Sequence, residues 1–175
     1  DIYKAIKEID KSKAVLIDGA KLNQSLFEVI PTSSIRNAMS PVFKLKSLKN
    51  EIEMSGVRKA MIKDGVALTR FFNWLEENAS TGTLSEISIS DKLHEFRSRQ
   101  ENFVGESFST IAGYGPHGAI VHYSASKATD AQIKAENILL LDSGGQYLDG
   151  TTDITRTVAL GTPTVEQITD FTLVL

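Results

Sequence analysis

The sequence predicts an α/β (α+β) chain, and three features of its patterning carry that prediction. Short apolar runs bounded by glycine or proline alternate with helical periodicity before residue 43. Two long amphipathic segments fill residues 47–100, and short strands punctuated by glycine dominate after Phe103. In the first part, Ile2 to Ile9 reads as a helix end, Ala14 to Ile17 as a short buried strand bounded by Asp18-Gly19, and Leu22 to Ile30 as a helix stopped by Pro31. Ser33 to Val42 sets Ile35, Met39 and Val42 among polar residues around Ser40-Pro41, which predicts extended chain leading into a basic linker at Lys44-Leu45-Lys46. A boundary near residue 43 follows, dividing the chain into residues 1–43 and 44–175.

The clearest helix starts with Ser47 as its N-cap, places Glu51 and Glu53 near the positive end of the dipole, and continues to about Asn78. Its apolar stripe is Val57, Met61, Leu68, Phe71, Phe72 and Leu75, joined by Trp74, and such a stripe is core scaffold. After the Thr81-Gly82 break, Ser90 to Gln100 forms a second amphipathic helix with Leu93 and Phe96 inward and His94 solvated. Strands are expected at Phe108 to Ala112, Ala119 to Tyr123, Ile138 to Leu141 and Thr152 to Leu160. The Gly113-to-Gly118 loop lacks a following Lys-Ser/Thr, so it is not a phosphate loop. Thr164 and Gln167 have capping-box spacing and open a last helix that runs into Leu173-Val174-Leu175 without a capping residue, as expected of an interrupted domain.

Composition excludes several classes. The net charge of −3 supplies no basic field for a phosphate backbone, and Lys and Arg are scattered through helical segments, so no nucleic-acid partner is expected. No run approaches the roughly 20 apolar residues that span a bilayer, so no membrane partner is expected either. The absence of cysteine removes disulfides, thiolate ligands and cysteine nucleophiles, and suits a reducing, cytoplasmic setting.

The chemistry-bearing segment runs from Leu141 to Thr157. Asp142 and Asp153 end and begin strands joined by a short connection, and two carboxylates on rigid strands can converge on a divalent cation. Spacing alone leaves open whether they converge or are ordinary turn residues. Were the two directly opposite, the turn would centre between Tyr147 and Leu148, ahead of the Asp149-Gly150 signal, so a wider or bulged connection is expected.

The runs Leu139-Leu140-Leu141-Asp142-Ser143-Gly144, Tyr147, Asp149-Gly150-Thr151-Thr152-Asp153-Ile154-Thr155-Arg156-Thr157 and Gly161-Thr162-Pro163 resemble the first metal-ligand motif of the aminopeptidase P, prolidase and creatinase family. Gly115-Pro116-His117-Gly118-Ala119-Ile120-Val121-His122-Tyr123 resembles that family's substrate-binding histidine segment. Phe72-Asn73-Trp74-Leu75-Glu76 and Glu86-Ile87-Ser88 agree as well. The resemblance implies that residues 44–175 form the N-terminal half of a pita-bread metallopeptidase domain, preceded in residues 1–43 by the end of another α/β domain. It implies two divalent ions, Mn²⁺ first and Zn²⁺ or Co²⁺ as alternatives, with Asp142 chelating one ion and Asp153 bridging both. It implies hydrolysis of the bond before a proline in second position, a tertiary amide without a hydrogen on nitrogen, with His122 binding the substrate. Thr155, two residues beyond Asp153 on the same strand face, would orient its carboxylate, while Arg156 points the other way.

The family completes its site with a histidine and two glutamates, one of them the general base. After Asp153 this chain has no histidine, and its only acidic residues are Glu166 and Asp170. No catalytic residue is therefore assigned, metal occupancy by this chain alone is doubtful, and it is expected to be an inactive fragment of a proline-specific metallo-aminopeptidase. A prolidase- or creatinase-type hydrolase, or a non-catalytic pita-bread module binding protein or peptide, are the alternatives. The expected partners are peptides with proline in second position, the missing C-terminal half, and a second copy held through apolar surface around Phe171, Leu173, Val174 and Leu175.

Overall fold

The computed structural model describes residues 1–10 and 12–175, and the chain divides into two units, Asp1–Asn50 and Glu51–Leu175. In the first, helix α1 (Ile2–Lys7) is capped by the Asp1 carboxylate, which accepts from Lys4 N, and strands β1 (Val15–Ile17) and β2 (Ile35–Asn37) pair in parallel. Between them α2 (Gln24–Phe27) is shorter than the predicted Leu22–Ile30, because the Asn23 side chain caps Ser25 N and starts the helix there. The chain after Ser33 departs more. It forms β2 and then helix α3 (Pro41–Ser47), so Lys44-Leu45-Lys46 is helical and Ser47 ends a helix instead of capping the next. The cause is Pro41: it holds Ser40 extended, as expected, but its own fixed φ suits the first turn of a helix.

The second unit is built on α4 (Glu51–Asn78) and α5 (Glu86–Ser98). On α4 the buried positions are Ala60, Asp64, Ala67, Leu68, Phe71 and Leu75, one face at helical spacing, whereas Met61 of the predicted stripe is exposed. Helix α5 begins four residues earlier than predicted, because Ser85 and Ser88 form a capping box. His94 lies on its exposed side, as expected, hydrogen-bonded to Glu106.

Two short sheets complete the unit. Strands β3 (Phe103–Glu106) and β6 (Gly145–Tyr147) pair antiparallel, and β4 (Ile111–Tyr114), β5 (Ile138–Ser143) and β7 (Ile154–Ala159) form an antiparallel sheet with β5 central. The predicted strand at Ala119–Tyr123 is instead a 3-10 turn, Gly115–Ala119, followed by a tight turn, since Pro116 favours a helical first turn. Leu139, Leu141, Phe71, Leu75, Ile89, Leu93 and Ile133 share one core. Full burial of each aliphatic or aromatic side chain contributes roughly 1.5–3 kcal/mol. Helix α6 (Val165–Val174) opens on the expected Thr164–Gln167 capping box and leaves Phe171, Leu173, Val174 and Leu175 exposed. No helix among the described residues is long and apolar enough to cross a membrane.

Candidate active site

Strand β5 sorts its side chains by alternation: Leu139, Leu141 and Ser143 are buried against the helices, while Ile138, Leu140 and Asp142 face the other side. Asp142 pairs with Thr155 and Ser143 with Ile154, and Gly145 N donates to the Thr152 hydroxyl while Thr152 N donates to Gly145 O. Tyr147 and Gly150 exchange two backbone hydrogen bonds, at 2.9 and 3.2 Å. The register is thus unbroken from Ile138–Ala159 to a two-residue turn at Leu148-Asp149, and it sets Asp153 across from Gly144. Asp142 and Asp153 are consequently diagonal neighbours on one face, an arrangement that typically separates the two backbones by about 7–8 Å.

That placement corrects the expectation of a widened connection: the Asp149-Gly150 signal does mark the turn, and the carboxylates are offset instead of opposite. Thr155 also differs in its partner, since its hydroxyl donates to Asp142 Oδ1 at 2.8 Å and not to Asp153. Arg156 points away, donating to the Thr155 carbonyl. Gly144 is required where the hairpin bends across β3, because a Cβ there would collide with the Thr152 carbonyl oxygen and the Ser107 hydroxyl.

The opposite face of the hairpin is tied down by charge. Arg97 donates from Nε to Asp64 Oδ1 at 2.6 Å and from Nη2 to Asp64 Oδ2 at 3.0 Å, both side chains being fully buried. Arg97 Nη2 also reaches the Ser143 hydroxyl, and Asp64 accepts from the Thr152 and Tyr147 hydroxyls at 2.7 and 3.0 Å. Ser143 follows Asp142 and Thr152 precedes Asp153, so the network grips the neighbour of each aspartate and holds both outward. Burial pushes the Tyr147 hydroxyl well above its ordinary range, with the Asp64 charge adding to the shift.

His122 occupies a different kind of position from the strand expected for it. It is exposed at the third position of a turn closed by Tyr123 N donating to Ile120 O, with φ +56°, a conformation uncommon outside glycine. The loop leading to it folds over the face that carries Asp142: a Cβ on Gly118 would lie 3.5 Å from the Cβ of Leu140, which shares that face. His117, expected to be exposed, is partly buried, donates from Nδ1 to Glu86 Oε1 at 2.8 Å and stacks on Tyr123. Asp64 and Arg97 lie outside the runs that carry the resemblance, and Glu86 lies in one of them, but the resemblance implies no role for it. Their signal is positional: each is a charged residue on the inward stripe of its helix, Glu86 and Arg97 in line with Ile89 and Leu93.

The two aspartates fit a divalent cation as donors: both are carboxylates on one accessible strand face, and neither has a basic partner among the described residues. Among those residues no three of His, Asp and Glu gather closely enough to hold a metal ion.

The sequence profile of Metallopeptidase family M24 matches residues 55–175. A Laccaria bicolor protein named a probable Xaa-Pro aminopeptidase P is 46% identical over 169 residues, 96% of this chain and 26% of its own length. The Drosophila melanogaster Xaa-Pro aminopeptidase ApepP is 44% identical over 151 residues, 86% of this chain and 25% of its own. Among solved structures, the X-prolyl aminopeptidase of Caenorhabditis elegans, described as a cytosolic enzyme with a di-nuclear active site, superposes with a TM-score of 0.85 at 34% identity, covering 94% of this chain and 28% of that one. The Xaa-Pro dipeptidase of Bacillus anthracis, at 23% identity and a TM-score of 0.80 over 99% of this chain and 48% of its own, shares the fold. The chain spans about a quarter of the length of the curated relatives it matches. With the hairpin, its offset aspartates, α5 and all of α4 from residue 55 onward inside the matched residues, the chain belongs to metallopeptidase family M24.

Proposed function

We propose that this chain supplies the first two metal-binding carboxylates, Asp142 and Asp153, and a substrate-binding histidine, His122, to a dinuclear aminopeptidase that removes the residue preceding a proline. The observation that carries this reading is the register of the 138–159 hairpin, which puts both carboxylates on one face, where no basic side chain among the described residues pairs with them. Asp142 would hold one ion and Asp153 would be shared between the two, with the Thr155 hydroxyl fixing the Asp142 carboxylate. Divalent ions, Mn²⁺ by this reading, supply positive charge that polarises the scissile carbonyl and acidifies water near neutral pH. His122, exposed at the apex of its turn, offers a ring N–H to the substrate carbonyl as negative charge develops there. The remaining ligands and the general base come from the rest of the catalytic domain, which also covers the exposed face of α6. In the isolated chain a second copy covers that face. The similarity to a cytosolic relative and the lack of cysteine support a cytoplasmic setting.

The test is hydrolysis by the full-length protein that carries this chain, loaded with Mn²⁺, of three substrates: a longer peptide with proline second, an Xaa-Pro dipeptide and creatine. Release of the first residue from the longer peptide, abolished by Asp142→Asn, is expected. Cleavage confined to the dipeptide or to creatine would move the reading to a prolidase or creatinase. Absence of any cleavage by a folded, metal-loaded protein would overturn it.

A further inference from the structure

The turn that displays His122 has both flanks fastened to one buried carboxylate. Glu86, fully buried at the start of α5, accepts from Tyr114 N at 2.9 Å and His117 Nδ1 at 2.8 Å on Oε1, and from the Tyr123 hydroxyl at 2.7 Å and Ala131 N at 3.1 Å on Oε2. Backbone N–H groups can only donate, so Glu86 acts here as an acceptor through both oxygens. The other links run through the backbone. Ile120 N donates to His117 O, and Tyr123 N donates to Ile120 O, each at 3.1 Å. The His117 and Tyr123 rings stack at 4.5 Å between centroids. Glu86, His117, Ile120 and Tyr123 therefore form a closed circuit of contacts, and His122 is the residue that the circuit holds at a positive φ with no hydrogen bond of its own among the described residues. A non-glycine residue keeps such a conformation only where its surroundings over-determine it.

We infer that Glu86 is a positioning residue for substrate binding: by anchoring His117 and Tyr123 on the two sides of the turn, it holds the His122 imidazole in the orientation that meets the substrate. This rests on the proposed role of His122. Glu86 is buried and has no path to substrate itself, and its four donors come from β4, the 3-10 turn, the segment after it and the chain at Ala131. Its removal frees the loop specifically at the point where those segments meet. Satisfying four donors with one carboxylate also explains why an acidic residue sits on the inward stripe of α5, where an aliphatic side chain would leave the Tyr114 and Ala131 backbone N–H groups unpaired.

Two measurements on Glu86→Gln and Tyr123→Phe separate the inference from the reading beneath it. In the 175-residue chain, amide exchange at Ile120 and Tyr123 is expected to speed up about tenfold or more while exchange in the β5–β7 ladder is unchanged, since a hydrogen bond to a charged group is lost. In the full-length protein, KM for an Xaa-Pro peptide is expected to rise about tenfold by the same loss, and Glu86→Gln is expected to add nothing in a His122→Ala background. Tyr123→Phe keeps the ring stack and removes only one anchor, so it carries the test should Glu86→Gln not fold. Unchanged exchange at Ile120 and Tyr123, or full additivity of the double variant, would overturn the positioning role. A His122→Ala variant with unaltered KM and kcat would overturn the role of His122, and with it any part of Glu86 in substrate binding, leaving the exchange result as a statement about the loop alone.

Discussion

Asp64 and Arg97 make a two-pronged ion pair, 2.6 and 3.0 Å, in which neither side chain retains any solvent exposure. Removing one partner leaves a buried charge without its counterpart, which typically costs about 3–5 kcal/mol. Asp64→Asn and Arg97→Met are therefore expected to lower the urea unfolding free energy by amounts of that order. Asp64→Asn should also accelerate amide exchange at Ser143 and Thr152, because the same carboxylate accepts from Thr152 and the same guanidinium donates to Ser143.

Alkaline stability should report Tyr147. Its hydroxyl, ordinarily near 10.0, is pushed up by burial first and by Asp64 second, so the folded protein holds the proton more tightly than the unfolded chain. Such a group contributes fully below pH 10 and loses its contribution as pH rises from there towards the folded value. Tyr147→Phe is expected to cost about 1 kcal/mol at pH 7 by losing the hydrogen bond to Asp64, and this deficit should shrink between pH 10 and 11. Urea midpoints of both proteins across that window give the comparison; a deficit that grows with pH would contradict the assignment.

Glycines on the two sides of the scaffold should respond oppositely to alanine. Gly144→Ala drives a methyl into the Thr152 carbonyl and the Ser107 hydroxyl, backbone and packed side chain that cannot both move, and should cost roughly 1–3 kcal/mol as overpacking does. Gly65 lies inside α4 with nothing near its missing Cβ, so Gly65→Ala should stabilise by about 0.5–1 kcal/mol. Thermal midpoints should move down in the first and up in the second.

Metal affinity should depend on Thr155 as well as on the aspartates. Thr155→Val keeps the shape and removes the hydroxyl that donates to Asp142, and losses of this kind cost about 10–100-fold in affinity. In the full-length protein, Mn²⁺ binding by calorimetry is expected to weaken over that range for Thr155→Val, and further for Asp142→Asn. Arg156→Ala, whose side chain turns to the Thr155 carbonyl, should leave affinity within about twofold of the parent, below the lower end of the range for supporting groups.

Local pattern made several elements legible. Short strands punctuated by glycine announced β5 and β7, a capping box announced α6, and the 3.6-residue period announced α4 and the inward Leu93 of α5. The same rules misplace elements where one residue carries two meanings: Pro41 both ends extended chain and begins a helix, and Pro116 opens a 3-10 turn that runs up to the start of the expected strand. By itself the sequence determined an α/β chain and a turn signal at Asp149-Gly150, and its resemblance singled out Asp142 and Asp153, because backbone periodicity, turn chemistry and motifs are properties of neighbouring residues. Only the tertiary structure decided that Asp142 faces Thr155 while Asp153 faces Gly144, that Asp64 and Arg97 grip the residues beside them, and that Glu86 holds the His122 turn from 36 positions away. Those relationships join residues distant in the chain, and what selects them is the cost of leaving a buried charge or N–H group unpaired.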